Sequence, residues 1–153
     1  MSVTETAPTA IHRGEDELPF VDLGDGTTLQ LLQVDLANGV WVIRNHFAPG
    51  TTLPIHKHTG QVYAFTQRGS WHYLESPEAL NTAGSYLYEP AGSVHTLQSI
   101  DDNTRVWFHM YGVNLNLAED GSIESVADGA GALQAYYALC EAQGFDRPKV
   151  IVA

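Results

Sequence analysis

The chain has 153 residues, which is enough for one domain with a sizeable core. Its formal net charge of −11 argues against nucleic acid and anionic membranes as partners, because both are bound through basic surfaces. The lone Cys140, the absence of a signal-peptide pattern and the lack of any long apolar run predict a cytoplasmic protein with no membrane segment.

The N-terminal third is predicted to contain an arm and two strands. Residues 1–18 show no periodic pattern and are expected to form a flexible or partner-docked arm. A first strand is expected over 27–35, after the turn dipeptide Asp25-Gly26. β-branched and aromatic residues predict a second strand over 40–47.

The next stretch carries two histidines with metal-ligand spacing. After the turn at Pro49-Gly50, His56 and His58 are separated only by Lys57. On an extended strand, residues i and i+2 share a face, so both imidazoles can reach one ion. A catalytic divalent metal usually needs about three protein ligands, so a further ligand is expected elsewhere.

The remaining strands follow at short intervals. Residues 62–66 and 70–75 are predicted to flank Gly69 as a hairpin, with a loop at 76–78. Strands are then expected over 84–88, over 94–99 and over 104–112. This spacing is typical of a single all-β domain, which we assign to residues 19–128.

One helix is predicted near the C-terminus. From about residue 129 to 143, apolar side chains recur at i, i+3, i+4 and i+7, and Gly144 is placed to end the helix. Residues 129–153 are therefore expected to form a helix and a tail that pack against the outside of the strands.

Two stretches resemble the motifs of the cupin superfamily. The second cupin motif reads Gly, five residues, Pro-x-Gly, two residues and His, and it is matched by Gly84, Pro90, Gly92 and His95. The first motif is matched by Gly50, His56, His58 and Gly69, whereas Val62 stands in the place of its glutamate. The resemblance covers about residues 40–112 and implies an all-β, single-domain cupin jelly-roll β-barrel with a C-terminal α-helix.

The resemblance also implies a metal site on three histidines. His56, His58 and His95 are the expected ligands, and strand parity predicts that four further side chains line the same pocket: Val62, Ala64, Leu97 and Ser99. Gln61 is a candidate to orient substrate or to replace the missing glutamate as a weak ligand. Glu89, just before the Pro90 turn, is expected at the rim, with an approach to the metal as the alternative.

A catalytic role for His109 depends on which face of its strand points inward. If Trp107, His109 and Tyr111 face the pocket, His109 is a candidate acid or base. If their neighbours in the strand face the pocket instead, His109 faces solvent or a subunit interface.

Loss of the motif glutamate would leave a divalent ion on three neutral imidazoles with its full charge, which favours an anionic chelating substrate such as an enolate. The stretch from His58 to Thr66, the aromatic stretch from Gly69 to Glu75 after it and the C-terminal helix resemble the small dihydroxyacetophenone dioxygenase branch of the cupins. That resemblance implies Fe(II), O₂ and a hydroxyketone or dicarbonyl substrate that is cleaved beside a carbonyl.

Zinc or another divalent metal is the alternative, in a sensor or ligand-binding module or in a metal-dependent hydrolase or isomerase. Exposed aromatic residues predict a homodimer or homotetramer.

Overall fold

The computed structural model describes residues 7–153. Within them, one short 3₁₀ helix (Glu15–Glu17) precedes a run of strands, and one α-helix, α1 (Gly129–Ala142), follows it. The strands are β1 (Val21–Asp22), β2 (Thr27–Asp35), β3 (Val40–Phe47), β4 (His56–His58), β5 (Val62–Arg68), β6 (Ser70–Tyr73), β7 (Ser76–Thr82), β8 (Tyr86–Glu89), β9 (Val94–His95), β10 (Leu97–Ser99), β11 (Thr104–Tyr111), β12 (Asn114–Leu117), β13 (Ile123–Ala127) and β14 (Ile151–Val152).

The strands form one large sheet and two small ones. The large sheet has the order β1-β2-β3-β11-β5-β8, with β14 pairing in parallel with β2. The small sheets have the orders β10-β6-β7 and β13-β12-β4-β9. This all-β arrangement with one C-terminal helix confirms the predicted fold class, although the sheets do not close into a complete barrel.

The core lies between the large sheet and the small ones. Alternate residues of β5 and β11 are buried, as the two-residue period of a strand requires. Trp71 of β6 is fully buried, and its ring lies 5.9 Å from that of Phe108 on β11. Burial of such large aromatic side chains supplies much of the stability that holds the sheets together.

Several predicted elements are confirmed. The strands expected over 27–35 and 40–47 are found with those bounds, and α1 begins and ends within a residue of its prediction. The side chain of Asp128 caps α1 by accepting a hydrogen bond from the backbone N–H of Gly131 at 2.8 Å. Tyr136 and Cys140 are the buried large side chains of this helix, in agreement with its apolar periodicity.

The predicted hairpin around Gly69 is wrong. β5 belongs to the large sheet, whereas β6 pairs with β7 and β10 in a small sheet, so Gly69 is a corner where the chain changes sheets. The φ angle of Gly69 is +78°, and a Cβ at this position would lie 2.4 Å from the Cα of Thr104. The loop predicted at 76–78 is also wrong, because β7 begins at Ser76.

The arm predicted over residues 1–18 begins with residues 1–6, which lie outside the described residues. Its later part lies on the large sheet: the Glu15 carboxylate accepts a hydrogen bond from Arg105 at 2.6 Å and lies 3.9 Å from Arg44. Leu18 is buried, and its carbonyl oxygen accepts a hydrogen bond from the side chain of Gln30 on β2 at 2.6 Å. In the span from residue 7 to residue 153, no helix is long and apolar enough to cross a membrane.

Candidate metal centre

The three predicted histidine ligands are brought together by two short neighbouring strands. In β4, His56 and His58 are buried and Lys57 is exposed, as alternation along a strand requires. β9 pairs with β4 in antiparallel register, and His95 is the direct partner of His56. Directly opposed residues on one face of a sheet lie about 5 Å apart, so the third imidazole meets the first two.

The imidazoles form a compact buried cluster. Their ring centroids lie 4.9 Å apart for His56 and His58, 4.7 Å for His56 and His95, and 5.3 Å for His58 and His95. One ligand nitrogen from each residue falls within 4.8 Å of the other two. All three side chains are buried, which withholds water from the site.

The protonation of the cluster suits metal binding. Burial lowers the pKa of all three rings, to about 4 for His58 and about 3 for His95. Neutral imidazole is the form that ligates metals. The Nδ1–H of His56 donates to the carbonyl oxygen of Pro54 at 2.9 Å, which leaves its Nε2 free as a ligand. These residues fit a divalent transition metal.

Glu89 lies against the histidine cluster and not at the rim of the pocket. Its side chain is 3% exposed, and its Oε2 lies 3.3 Å from His58 Nε2 and 3.6 Å from His95 Nε2. Tyr73 donates its hydroxyl hydrogen to the other carboxyl oxygen. Burial raises the pKa of Glu89 to about 8, so without a metal the group is mostly a neutral acid at pH 7.

The buried polar atoms beside the cluster provide a second indication of a cation. Glu89 Oε2 and His95 Nε2 are both buried without a hydrogen-bond partner. Buried polar atoms are normally satisfied, and an ion held between these donor atoms would satisfy both.

The predicted pocket without a carboxylate is therefore wrong, and so is the expected rim position of Glu89. Val62, which replaces the glutamate of the first cupin motif, is the direct cross-strand partner of Glu89 between β5 and β8. Compared with the first cupin motif, the carboxyl group comes from the neighbouring strand β8 and not from β5. Strand parity contains a signal for this: Tyr86 and Tyr88 are exposed, so the intervening Leu87 and the following Glu89 point inward.

A cavity of about 230 Å³ lies beside the cluster. Most of its wall is apolar, with side chains from the large sheet and from the segment before β4, and three asparagine amides interrupt it. The lining includes Trp41, Ile43, Asn45, Leu53, Phe108, Met110, Asn114 and Asn116. Such a mostly apolar cavity with a few polar groups is typical of a small-molecule site.

The four predicted pocket residues all point inward, but only Leu97 lines this cavity. Val62 and Ala64 are covered within the core, while their larger β11 partners Met110 and Phe108 reach the cavity instead. Ser99 is committed elsewhere, because its hydroxyl donates to the carbonyl oxygen of Ala48.

The two candidate catalytic residues lie away from the cluster. Val106, Phe108 and Met110 are the buried residues of β11, so His109 points to the opposite face of the sheet, where its ring stacks on Tyr111. This placement removes His109 from the candidate site. Gln61 precedes β5 and does not line the cavity.

Comparison with known proteins agrees with this geometry. Residues 9–114 match the family of ChrR cupin-like domains. The chain belongs to this family. No curated protein matches the sequence.

Solved structures extend the likeness of this ChrR cupin-like chain over most of its length. A cupin-like protein of unknown function from Ralstonia eutropha JMP134 is 37% identical, with a TM-score of 0.79 over 84% of this chain and 80% of its own. An RmlC-like cupin from the same organism is 25% identical, with a TM-score of 0.84 over 98% of both chains. An acetylacetone dioxygenase from Acinetobacter johnsonii shares the fold at 20% identity, with a TM-score of 0.74 over 88% of this chain and 94% of its own.

Proposed function

We propose that His56, His58 and His95 hold a divalent transition metal and that, with Fe(II), the protein is a dioxygenase. The reaction is the O₂-dependent cleavage of a carbon–carbon bond next to a carbonyl in a hydroxyketone or dicarbonyl substrate. The observation that carries this proposal is the set of three buried, neutral imidazoles beside one carboxyl group and a mostly apolar cavity. When bound, Fe(II) would supply redox chemistry with O₂ and a Lewis acid for the substrate oxygens.

Glu89 is the proposed proton acceptor. A dicarbonyl or hydroxyketone must lose a proton to become an enolate, and among residues 7–153 Glu89 provides the only carboxyl group that lines the cavity. Burial alone brings the pKa of this group to about 8 in metal-free protein, and a bound cation would lower it towards the working pH, where a base is most effective. A cation at the histidines would favour its ionised form. The hydroxyl of Tyr73 then stabilises the carboxylate by donating to it.

The cavity wall favours a substrate with an apolar body and a polar end. Leu53, Phe108 and Met110 contribute apolar surface, which excludes water from the reacting atoms. Asn114 faces the cavity from β12, and its Oδ1 is buried without a hydrogen-bond partner. This oxygen is free to accept a hydrogen bond from a hydroxyl group of the substrate.

The acetylacetone dioxygenase among the structural neighbours supports this choice of chemistry, since that protein is a dioxygenase for a diketone on the same fold. The proposed partners are accordingly a small carbonyl compound and O₂. The proposed location is the cytoplasm, where the buried free thiol of Cys140 would stay reduced.

The experiment that tests this function is anaerobic loading with Fe(II) followed by measurement of O₂ uptake. The substrates are a panel of β-diketones and aryl or alkyl hydroxyketones, and protein loaded with Zn²⁺ is the matched control. We expect uptake that depends on both Fe(II) and substrate, with carboxylic acid among the products. No uptake across the panel would contradict the dioxygenase proposal.

A second candidate is favoured by the position of Glu89. Three histidines and one carboxylate would form a closed four-ligand set, which is typical of zinc, and zinc binds imidazole more tightly than Fe(II) does. With the site closed in this way, the protein would be a sensor or ligand-binding module. A metal-dependent hydrolase or isomerase would instead need one coordination position left open to water or substrate. Stoichiometric zinc in protein purified without chelators, together with no O₂ uptake after Fe(II) loading, would favour this reading.

A further inference from the structure

The outer surface of the large sheet carries a continuous cluster of aromatic rings, which we call the aromatic face. Its residues come from β5, β8 and β11 and are Tyr63, Phe65, Tyr86, Tyr88, Trp107, His109 and Tyr111. Tyr63 lies at the centre, with ring centroids 5.5 Å from Tyr88 and 6.3 Å from both His109 and Tyr111. Phe65 contacts Tyr86 at 5.3 Å.

These rings are far more exposed than aromatic side chains usually are. Tyr86 is 59% exposed, Tyr88 54%, Phe65 47% and Trp107 36%. With about 200 Å² for each side chain, these four alone expose on the order of 400 Å². A standard interface buries about 800 Å² on each partner, so the aromatic face with its rim is large enough for the centre of one.

The strands that form the aromatic face also contribute no exposed carboxylate. The chain carries a net charge of −11, yet Glu89 is the only acidic residue in β3, β5, β8 and β11, and it is buried on the opposite side of the sheet. On the outer side of β3, Arg44 lies 5.0 Å above the ring of Trp107. Arg44 and Arg105 both pair with the carboxylate of Glu15, which the N-terminal arm places beside this face, and they neutralise its charge. Two copies of this acidic chain would repel each other least if they met here.

The aromatic face extends to the edge strand of the large sheet. In the described part of the chain, β8 pairs only with β5 and forms the last strand of the large sheet. Tyr86 and Tyr88 therefore stand at an edge that a second copy can approach from the side as well as from above.

We propose that the aromatic face is the contact surface between two copies of this chain, related by a two-fold axis. Aromatic enrichment and depletion of charged residues are the features that distinguish the centre of an interface from ordinary surface. A two-fold contact sets each patch against its own copy. The strands of this patch bring no exposed carboxylates together, and the nearby Glu15 carboxylate is already paired with Arg44 and Arg105. A strongly basic partner protein would instead be attracted to the acidic surfaces elsewhere on the chain.

The test compares two double variants by sedimentation velocity over the micromolar range. Phe65→Glu with Tyr88→Glu places carboxylates in the proposed contact. Ile123→Glu with Val126→Glu is the matched control, because these β13 residues are 57% and 59% exposed and lie in another sheet. We expect the wild type and the control to have a mass of at least two chains. The dissociation constant of the Phe65/Tyr88 variant should be at least about 100-fold higher than that of the wild type, since like charges in a contact are strongly unfavourable.

Far-UV circular dichroism and bound metal should be unchanged in both variants, which separates loss of association from loss of folding. A monomeric wild type, or a Phe65/Tyr88 variant that remains folded and associated, would overturn the proposal. Dissociation of the control to the same extent would overturn it too, because the contact would then involve other surfaces.

Trp107 provides an independent readout. Trp41 is 6% exposed and Trp71 is fully buried, so Trp107 is the one tryptophan of the chain that a soluble quencher reaches readily. We expect quenching by acrylamide to increase when the wild type is diluted, and to be high at all concentrations in the Phe65/Tyr88 variant. Quenching that does not change on dilution through the dissociation range would contradict a contact at this face.

Discussion

The two faces of the large sheet give neighbouring residues of one strand different surroundings and different roles. In β8, Tyr88 is half exposed among other aromatic rings, whereas the next residue, Glu89, is buried 3.3 Å from His58. The inner face combines apolar side chains with one carboxyl group whose acidity burial has changed. On the outer face, β5, β8 and β11 carry aromatic rings and no carboxylate. Side-chain parity, more than residue type, therefore decides which residues take part in chemistry.

The largest contrast between the two faces is expected in the free energy of unfolding when a carboxylate is introduced on each. Val62 is fully buried opposite Glu89, so Val62→Glu would bury a second carboxyl group in the core and should reduce the free energy of unfolding by at least about 3 kcal/mol. Phe65→Glu, at a half-exposed outer position, should change it by less than about 1 kcal/mol. Urea unfolding of metal-free protein at sub-micromolar concentration, where association does not contribute, measures both. Equal effects would contradict the assignment of the two faces.

Replacing the carboxyl group itself should separate catalysis from metal binding. Glu89→Gln keeps the shape but cannot accept a proton, so the rate of O₂ uptake by Fe(II)-loaded protein should fall about 100-fold. Tyr73→Phe, which removes the hydroxyl donor to Glu89, should have a smaller effect in the same direction. Bound metal should stay within about twofold in both variants. Loss of metal together with activity in Glu89→Gln would show that Glu89 is a ligand instead.

The pH dependence of stability should reveal the same group in metal-free protein. Glu89 has a pKa of about 8 in the folded chain, against the ordinary value of 4.5, so the folded state binds more protons than the unfolded state between these values. Its contribution to stability is complete below pH 4.5 and is lost as the pH rises through 8. The buried histidines act in the opposite direction, and stability from them rises until about pH 6.5.

From pH 6.5 to 8 the Glu89 effect remains, and the free energy of unfolding should fall by about 2 kcal/mol. In Glu89→Gln this fall should vanish. Denaturant unfolding at a series of pH values measures it, and a wild-type curve that is flat across this range would contradict the buried, protonated carboxyl group.

Much of the fold could be predicted from the sequence because local patterns fix it. The bounds of β2 and β3 follow from β-branched residues between turn dipeptides, and α1 follows from its apolar period and from Gly144. The hairpin at Gly69 could not be predicted correctly, because a glycine with positive φ serves a corner between two sheets as well as it serves a hairpin. The choice depends on which distant strands pair, and no local pattern reports that.

The candidate site, like the fold, could be predicted only in part. The spacing of the motifs was enough to bring His56, His58 and His95 together, because cross-strand register places His95 opposite His56. The buried position of Glu89 could not be predicted, because it depends on the pairing of β8 with β5, in which Glu89 lies opposite Val62, 27 positions away in sequence. For His109, the sequence left both faces of β11 open, and only the packing of Phe108 and Met110 into the core decides between them.

The central claim is that three imidazoles on the inner side of the fold hold a divalent metal, and metal content tests it most directly. Protein purified without chelators should contain about one divalent transition metal ion per chain, and His95→Ala should lower this content at least about tenfold. His109→Ala, which removes an imidazole from the outer face, should leave it unchanged. Full metal content in His95→Ala, or equal loss in the two variants, would contradict the claim.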